Sequence, residues 1–153
     1  MSQQRDPEKL KAKLFDFAKD FPFFSLVGFE LVDFGPGWSK TRIALRDDLK
    51  NPNGVMHGGM IATLMDAGIT QAMLMTDIYQ QVRDTRGFMT TVDLRVKYLR
   101  PMTSGVATCE AEIPHMGRRV CHASAVVKND DGKVVATGDS ILMITLGDRK
   151  PEP

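Results

Sequence analysis

Cysteine is scarce in this sequence: Cys109 and Cys121 are the only two. Two thiols cannot build a disulfide framework, and they suit a reducing compartment. An excess of one charge is missing as well. Lys and Arg total 20 against 19 Asp and Glu, a net charge of +1, whereas a general nucleic-acid binder carries a stronger basic excess. Any anionic ligand must therefore be held by a local cluster of charge. No apolar run approaches the roughly 18 residues of a bilayer-spanning helix. The polar start, Met1 to Asp6, lacks the apolar stretch of a secretory signal. There is no G-x-S-x-G, no P-loop and no G-x-G-x-x-G, which argues against a Ser-His-Asp triad and against nucleotide binding of those kinds; no cofactor is expected. What remains is a chain of 153 residues, long enough to bury about 68–70% of its unfolded surface without disulfide or metal support. The expectation is a soluble, cytoplasmic protein with one folded domain. Ten methionines are its one compositional oddity.

Pro7 to Lys19 reads as a helix, with Asp6 to cap it, Pro7 in its first turn and Glu8 placed for the dipole. Asp20-Phe21-Pro22 ends it, and Phe23 and Phe24 are expected to plug into the core. Leu26 to Phe34 and Trp38 to Leu45 read as strands joined by Gly35-Pro36-Gly37, and Arg46 to His57 as a loop. Gly58 to Ile78, rich in Ala, Leu and Met, reads as one long helix. Four strands follow. Val92, Leu94, Val96 and Tyr98 alternate with charged residues in Phe88 to Arg100. Ala107, Cys109, Ala111 and Ile113 share one face of the second strand, and Cys121, Ala123, Ala125 and Val127 one face of the third. Val134, Ala136, Leu142 and Ile144 share one face of the fourth. Asn129-Asp130-Asp131-Gly132 is a strong hairpin turn and Pro114-His115-Met116-Gly117 a weaker one. The pattern predicts an α+β domain with an antiparallel sheet.

Chemistry concentrates in Asn51 to Gly59 and the residues after it. Gly58 and Gly59 open the long helix, where N–H groups lack internal partners and the dipole adds partial positive charge. Such a terminus can hold a carbonyl oxygen that becomes an oxyanion; equally, two glycines simply allow tight packing there. Asp66 lies about two turns inside the helix, where aspartate is a poor helix former. It is either on an exposed face or a partly desolvated carboxylate fit to act as base or nucleophile. Its nearly all-apolar neighbours weaken the exposed reading.

The run Asn51-x-x-Gly54-x-x-His57-Gly58-Gly59, with Asp66 following after six residues, resembles the hotdog-fold acyl-CoA thioesterases of the phenylacetate-degradation (PaaI-like) type. Leu64, Thr91-Val92-Asp93-Leu94 and Tyr98-Leu99-Arg100-Pro101 extend the resemblance, which covers roughly residues 24–146. It implies an α+β hotdog fold: one long central helix wrapped by a curved antiparallel sheet of five to six strands, with an N-terminal helix. It divides the chain into a helical extension at 1–24, one thioesterase domain at 25–147 and a tail at 148–153. It implies hydrolysis of acyl-CoA to free acid and coenzyme A. Asp66 matches the general base or nucleophile, the Gly58 N–H the donor that polarises the thioester carbonyl, and Asn51 the side chain that positions thioester or water. Thr91 falls where relatives place a hydroxyl near the water, and His57 orders the helix start. The family's site lies between subunits, implying a homodimer or a dimer of dimers, with Asp66 and Gly58 of one site on different chains.

Substrate contacts are expected from Gly59 and Met65, and coenzyme A phosphates from basic side chains, chiefly Arg100 and Arg118, with Arg95 a further candidate. Cys109, His115, Cys121 and His122 match no common zinc spacing, so no metal is expected. Two other functions compete: an acyl-thioester dehydratase or hydratase on the same fold, and a non-catalytic acyl-CoA-binding protein.

Overall fold

A computed structural model describes residues 6–148; five of the six residues expected to form the tail, 149–153, lie outside that range. The element order is α1 (Pro7–Asp20), α2 (Pro22–Val27), β1 (Phe29–Gly35), β2 (Trp38–Ala44), α3 (Gly58–Met73), α4 (Asp77–Thr85), β3 (Phe88–Tyr98), β4 (Val106–Met116), β5 (Val120–Lys128) and β6 (Val134–Thr145). A 3₁₀ turn, Asp47–Leu49, interrupts the loop before α3. The strands form one antiparallel sheet in the order β1-β2-β4-β5-β6-β3. This is a hotdog-like α+β fold, with α3 lying on the concave face of the sheet.

Alternation builds the inner face as expected. Ala107, Cys109 and Ala111 of β4 and Cys121, Ala123, Ala125 and Val127 of β5 are buried against Ile61, Leu64, Met65 and Ile69 of α3. The small residues of β4 and β5 let the helix come close. At the closest point α3 has Gly68, where a Cβ would stand 3.0 Å from Thr41 Oγ1 and 3.3 Å from Cys109 Sγ. Ser39 Oγ donates to the Gly68 carbonyl at 2.7 Å, tying helix to sheet. Leu64, fully buried in this cluster, is a residue whose truncation to Ala costs about 2–5 kcal/mol. Among the described residues no helix is long and apolar enough to cross a membrane.

The helices depart from expectation in two places. Pro22 does end α1, but it also opens α2, which takes Leu26 and Val27 from the expected first strand. Proline fits a helix's first turn, and Gly28 at φ +72° closes the element as its left-handed cap. Phe24 is buried while Phe23 is half-exposed, so only one of the pair enters the core. The central helix stops at Met73 rather than Ile78. Thr76 Oγ1 donates to the Met73 carbonyl at 2.6 Å and accepts from Tyr79 N–H at 3.3 Å, which caps α4.

The strands depart through single extra residues. Thr91 pairs with Leu142 and Asp93 with Ile141, so Val92 is a bulge and is exposed, not inward with Leu94 and Val96. Val127 pairs with Ala136 and Lys128 with Val134, which makes Val135 the extra residue; it is buried and Val134 is only half-buried. Pro114 and His115 lie within β4, with Pro114 inside a register shift between Glu112 and His115 that accommodates proline's missing donor. The turn comes later, closed by Gly117 N–H to Val120 O at 3.0 Å. The Asn129–Gly132 turn stands where expected, with Gly132 at φ +74°.

Candidate functional site

The loop before α3 is folded by its own polar groups. Asn51 Oδ1 accepts from Asn53 N–H at 2.9 Å and Val55 N–H at 3.4 Å, while Asn51 N–H donates to Val55 O at 2.8 Å. Gly54, at φ +78°, makes the tight reversal between them. The Asn51 carbonyl oxygen is thus committed to the loop, and its amide NH₂ is what the side chain has left to offer a ligand. Met56 N–H bonds to Met102 O and His57 N–H to Leu49 O, each at 2.8 Å, which fixes where α3 begins.

His57 is the N-cap of α3: its Nδ1 accepts from Gly59 N–H at 2.9 Å. A side chain at Gly59 would collide with that ring, since its Cβ would lie 2.9 Å from Nδ1. The cap uses one of the first two helical donors. The Gly58 N–H has no acceptor among the described residues, at the positive end of the helix dipole. Gly58 also sits beneath Tyr98, whose hydroxyl donates to the Gly58 carbonyl at 2.8 Å and whose ring would stand 3.2 Å from a Cβ there. Asn51, Gly58, Ile61, Tyr98 and Arg100 line a cleft of about 330 Å³. Tyr98 was not among the expected site residues; its aromatic ring at the end of β3 was the available signal.

Asp66 lies eight residues further along α3, half-buried. Thr91 Oγ1 donates to Asp66 Oδ1 at 2.7 Å. The bulge at Val92 makes this contact: Thr91 faces the helix from one side of it while Leu94 and Val96 pack inward from the other. At 1.5 Å rise per residue, Asp66 is about 12 Å along the helix from Gly58.

The other expected residues scatter. Met65 is fully buried in the core, with Sδ 2.8 Å from where Gly138 would carry a Cβ. Arg95 is paired with Asp93 at 2.9 Å. Arg100 borders the Gly58 cleft, but its Nη1 donates to Val134 O at 2.7 Å. Arg118 is in the β4–β5 turn, beside a different groove. Among the described residues no group of three or more His, Cys, Asp or Glu is placed to hold a metal ion. Cys109 and Cys121 are buried free thiols, and burial pushes the Cys109 thiol up to about 12.

Residues 53–136 match the profile of the thioesterase superfamily, more than half of the chain. The chain belongs to that superfamily. It is 25% identical over 137 residues to a medium/long-chain acyl-CoA thioesterase, YigI of Salmonella typhimurium, a match covering 84% of this chain and 88% of YigI. Among solved structures it resembles the conserved protein PA5202 of Pseudomonas aeruginosa at 28% identity and a TM-score of 0.70, over 82% of this chain and 94% of that one. The PaaI protein of the E. coli phenylacetic acid degradation operon shares the fold at a TM-score of 0.76 with 17% identity, over 92% and 96% of the two chains.

Proposed function

We propose that this thioesterase-superfamily chain hydrolyses acyl-CoA thioesters to a carboxylic acid and coenzyme A, as a PaaI-like enzyme. The observation that carries the reading is the 2.7 Å hydrogen bond from Thr91 to Asp66, together with the unclaimed N–H of Gly58. A half-buried carboxylate with one oxygen held by a hydroxyl has its second oxygen aimed by that contact. It takes a proton from water, and the water oxygen attacks the thioester carbonyl carbon. In the covalent variant, Asp66 attacks directly and water then opens the mixed anhydride. Either way the carbonyl oxygen gains negative charge, which the Gly58 N–H at the start of α3 stabilises. The C–S bond then breaks, and the coenzyme A thiolate takes up a proton. The Asn51 NH₂ orients the thioester or the water, and His57 holds the helix start by capping Gly59.

These groups cannot meet on one chain. Gly58 and Asp66 are about 12 Å apart along a rigid helix, too far to serve one carbonyl carbon and its oxygen. A site that uses both takes Gly58 and Asn51 from one subunit and Asp66 and Thr91 from a second. β3 is an edge strand of the sheet and leaves Phe88, Val92 and Tyr98 about half exposed. Pairing that edge with a second copy would cover it and bring the two halves together, so the working unit is at least a homodimer.

The test is a panel of phenylacetyl-, hydroxybenzoyl-, hexanoyl- and palmitoyl-CoA, with thiol release followed alongside hydration of an enoyl-CoA. Thiol release from one or more of the panel is expected, with no hydration. Hydration without thiol release would assign the chain to the dehydratases and hydratases. Tight binding with no turnover would make it an acyl-CoA-binding protein.

A further inference from the structure

Two of the three histidines in the chain, His115 and His122, take no part in the proposed chemistry. Their spacing in sequence matches no common metal motif, but the sheet brings them together. Glu112 opposes Ser124, so an unbroken β4–β5 ladder would set His115 opposite Cys121. The register shift between Glu112 and His115 moves the pairing by one residue, and His115 stands opposite His122 instead. The ring centroids are 5.6 Å apart, with the planes at 67°. Both side chains are exposed on the convex face of the sheet, since Cys121 and Ala123 on either side of His122 point inward and are buried. Among the described residues no hydrogen bond or ion pair reaches either ring. A Cβ on Gly117 would lie 3.6 Å from His115 Nε2, and glycine in the turn leaves that nitrogen uncovered.

Two facing imidazoles with uncommitted nitrogens form a chelate for a borderline metal ion. An ion held about 2.0–2.1 Å from one nitrogen of each ring puts the centroids roughly 5 Å apart, so small ring rotations close the site. The charge on this face also suits a cation. Ser124, the next outward residue of β5 after His122, is flanked by Glu112 on β4 and Asp139 on β6. Both carboxylates are exposed and neither is in an ion pair with a described residue. They offset Arg118 and Arg119 in the adjoining turn. At about 8 Å from His122 by strand geometry they stand outside the coordination shell, where they can accept hydrogen bonds from waters that the ion keeps. Cys121 faces the core, which leaves imidazole as the ligand type this chain supplies.

We propose that His115 and His122 together bind one late first-row divalent ion, Cu²⁺ most tightly and Zn²⁺ or Ni²⁺ less so, with water in the remaining positions. The ion clips β4 to β5 on the face of the sheet opposite to α3, so it does not touch Asp66 or Thr91. The site is therefore independent of the hydrolase reading.

The test is calorimetric titration of Cu²⁺, Zn²⁺ and Mg²⁺ into the full chain carrying no polyhistidine tag. Wild type should take up one Cu²⁺ or Zn²⁺ at this pair and ignore Mg²⁺, which prefers oxygen ligands. His115→Ala and His122→Ala should each weaken Kd tenfold or more, and the double variant little further, because either arm is needed for the chelate. His122→Phe keeps a ring opposite His115 and should lose the ion as fully as His122→Ala. Zn²⁺ should raise the unfolding temperature of wild type and leave that of the variants unmoved, since the chelate exists only in the folded pairing. Both side chains are exposed, so the variants should keep the wild-type circular dichroism. An equal Kd in wild type and the double variant would overturn the proposal. Single variants that each bind with an unchanged Kd would overturn it as well, because they would show two independent imidazoles and no chelate.

Discussion

Thr91 donates to Asp66 across 2.7 Å because β3 carries one residue more than its partner strand needs. Without the extra residue, strict alternation would put Thr91 on the face opposite to Leu94 and Val96. With it, all three turn toward α3. A local irregularity of the sheet thereby places a hydroxyl on the carboxylate proposed to activate water.

Deleting Val92 tests that relationship. The inward packing of Leu94 and Val96 should hold the second half of the strand in place, so the first half turns over and Thr91 faces outward. Thioester hydrolysis should fall to the level of Thr91→Val, while far-UV circular dichroism stays close to wild type. A deletion variant with full activity would show that the bulge does not set the contact.

The cap at the start of α3 has a conservative rescue. His57→Ala removes the acceptor for Gly59 N–H and should cost about 1 kcal/mol of unfolding free energy, measured by urea titration. His57→Asn should recover most of this, because asparagine is itself a strong N-cap. Gly59→Ala should lose a comparable amount with His57 intact, since its Cβ would press on Nδ1 at 2.9 Å.

Tyr98 joins β3 to the first turn of α3. Tyr98→Phe keeps the ring over Gly58 and removes only the hydroxyl bond to the Gly58 carbonyl. The expected cost is about 1 kcal/mol in stability. It should also lower kcat with little change in KM, because the bond orients the proposed oxyanion donor without being part of the coenzyme A contact.

The thiols should be inert in the native protein. Burial raises Cys109 from an ordinary 9.0 to about 12, and burial also raises Cys121. Neither should react with a disulfide reagent at about pH 8 until the chain is unfolded, when both should. The sign of the pH effect follows. A folded pKa above the unfolded one leaves stability intact below 9.0, and stability falls as pH rises past it, since only the unfolded Cys109 thiol ionises there. The urea midpoint should drop between about pH 9 and pH 10, and Cys109→Ala should flatten that drop.

Much of the fold is legible in the sequence because its inner face is written in simple alternation. Cys109 with Ala111, and Cys121 with Ala123 and Ala125, fall on the inside as their period of two requires. What alternation cannot reveal is a place where the count slips by one. Val92, Val135 and the Pro114 region all lie at such slips; the first two change which residue faces inward, and at the third the strand runs on through an expected turn. Pro22 shows another limit: proline that stops one helix can start the next. The candidate site divides the same way. Asn51, His57, Gly58 and Gly59 are close in sequence, and the turn and cap bonds made by the Asn51 and His57 side chains stay within four residues. Tyr98 reaches Gly58 from forty positions away, and only the three-dimensional arrangement reveals that contact.

The central claim is that Asp66 activates the attack on an acyl-CoA thioester. The direct measurement is kcat for Asp66→Asn, which keeps the shape of the side chain and its acceptor for Thr91, on whichever acyl-CoA wild type cleaves best. The account predicts a loss of roughly 10²–10⁴-fold in a protein with unchanged circular dichroism and urea midpoint. An Asp66→Asn protein that is folded and turns over at the wild-type rate would contradict it.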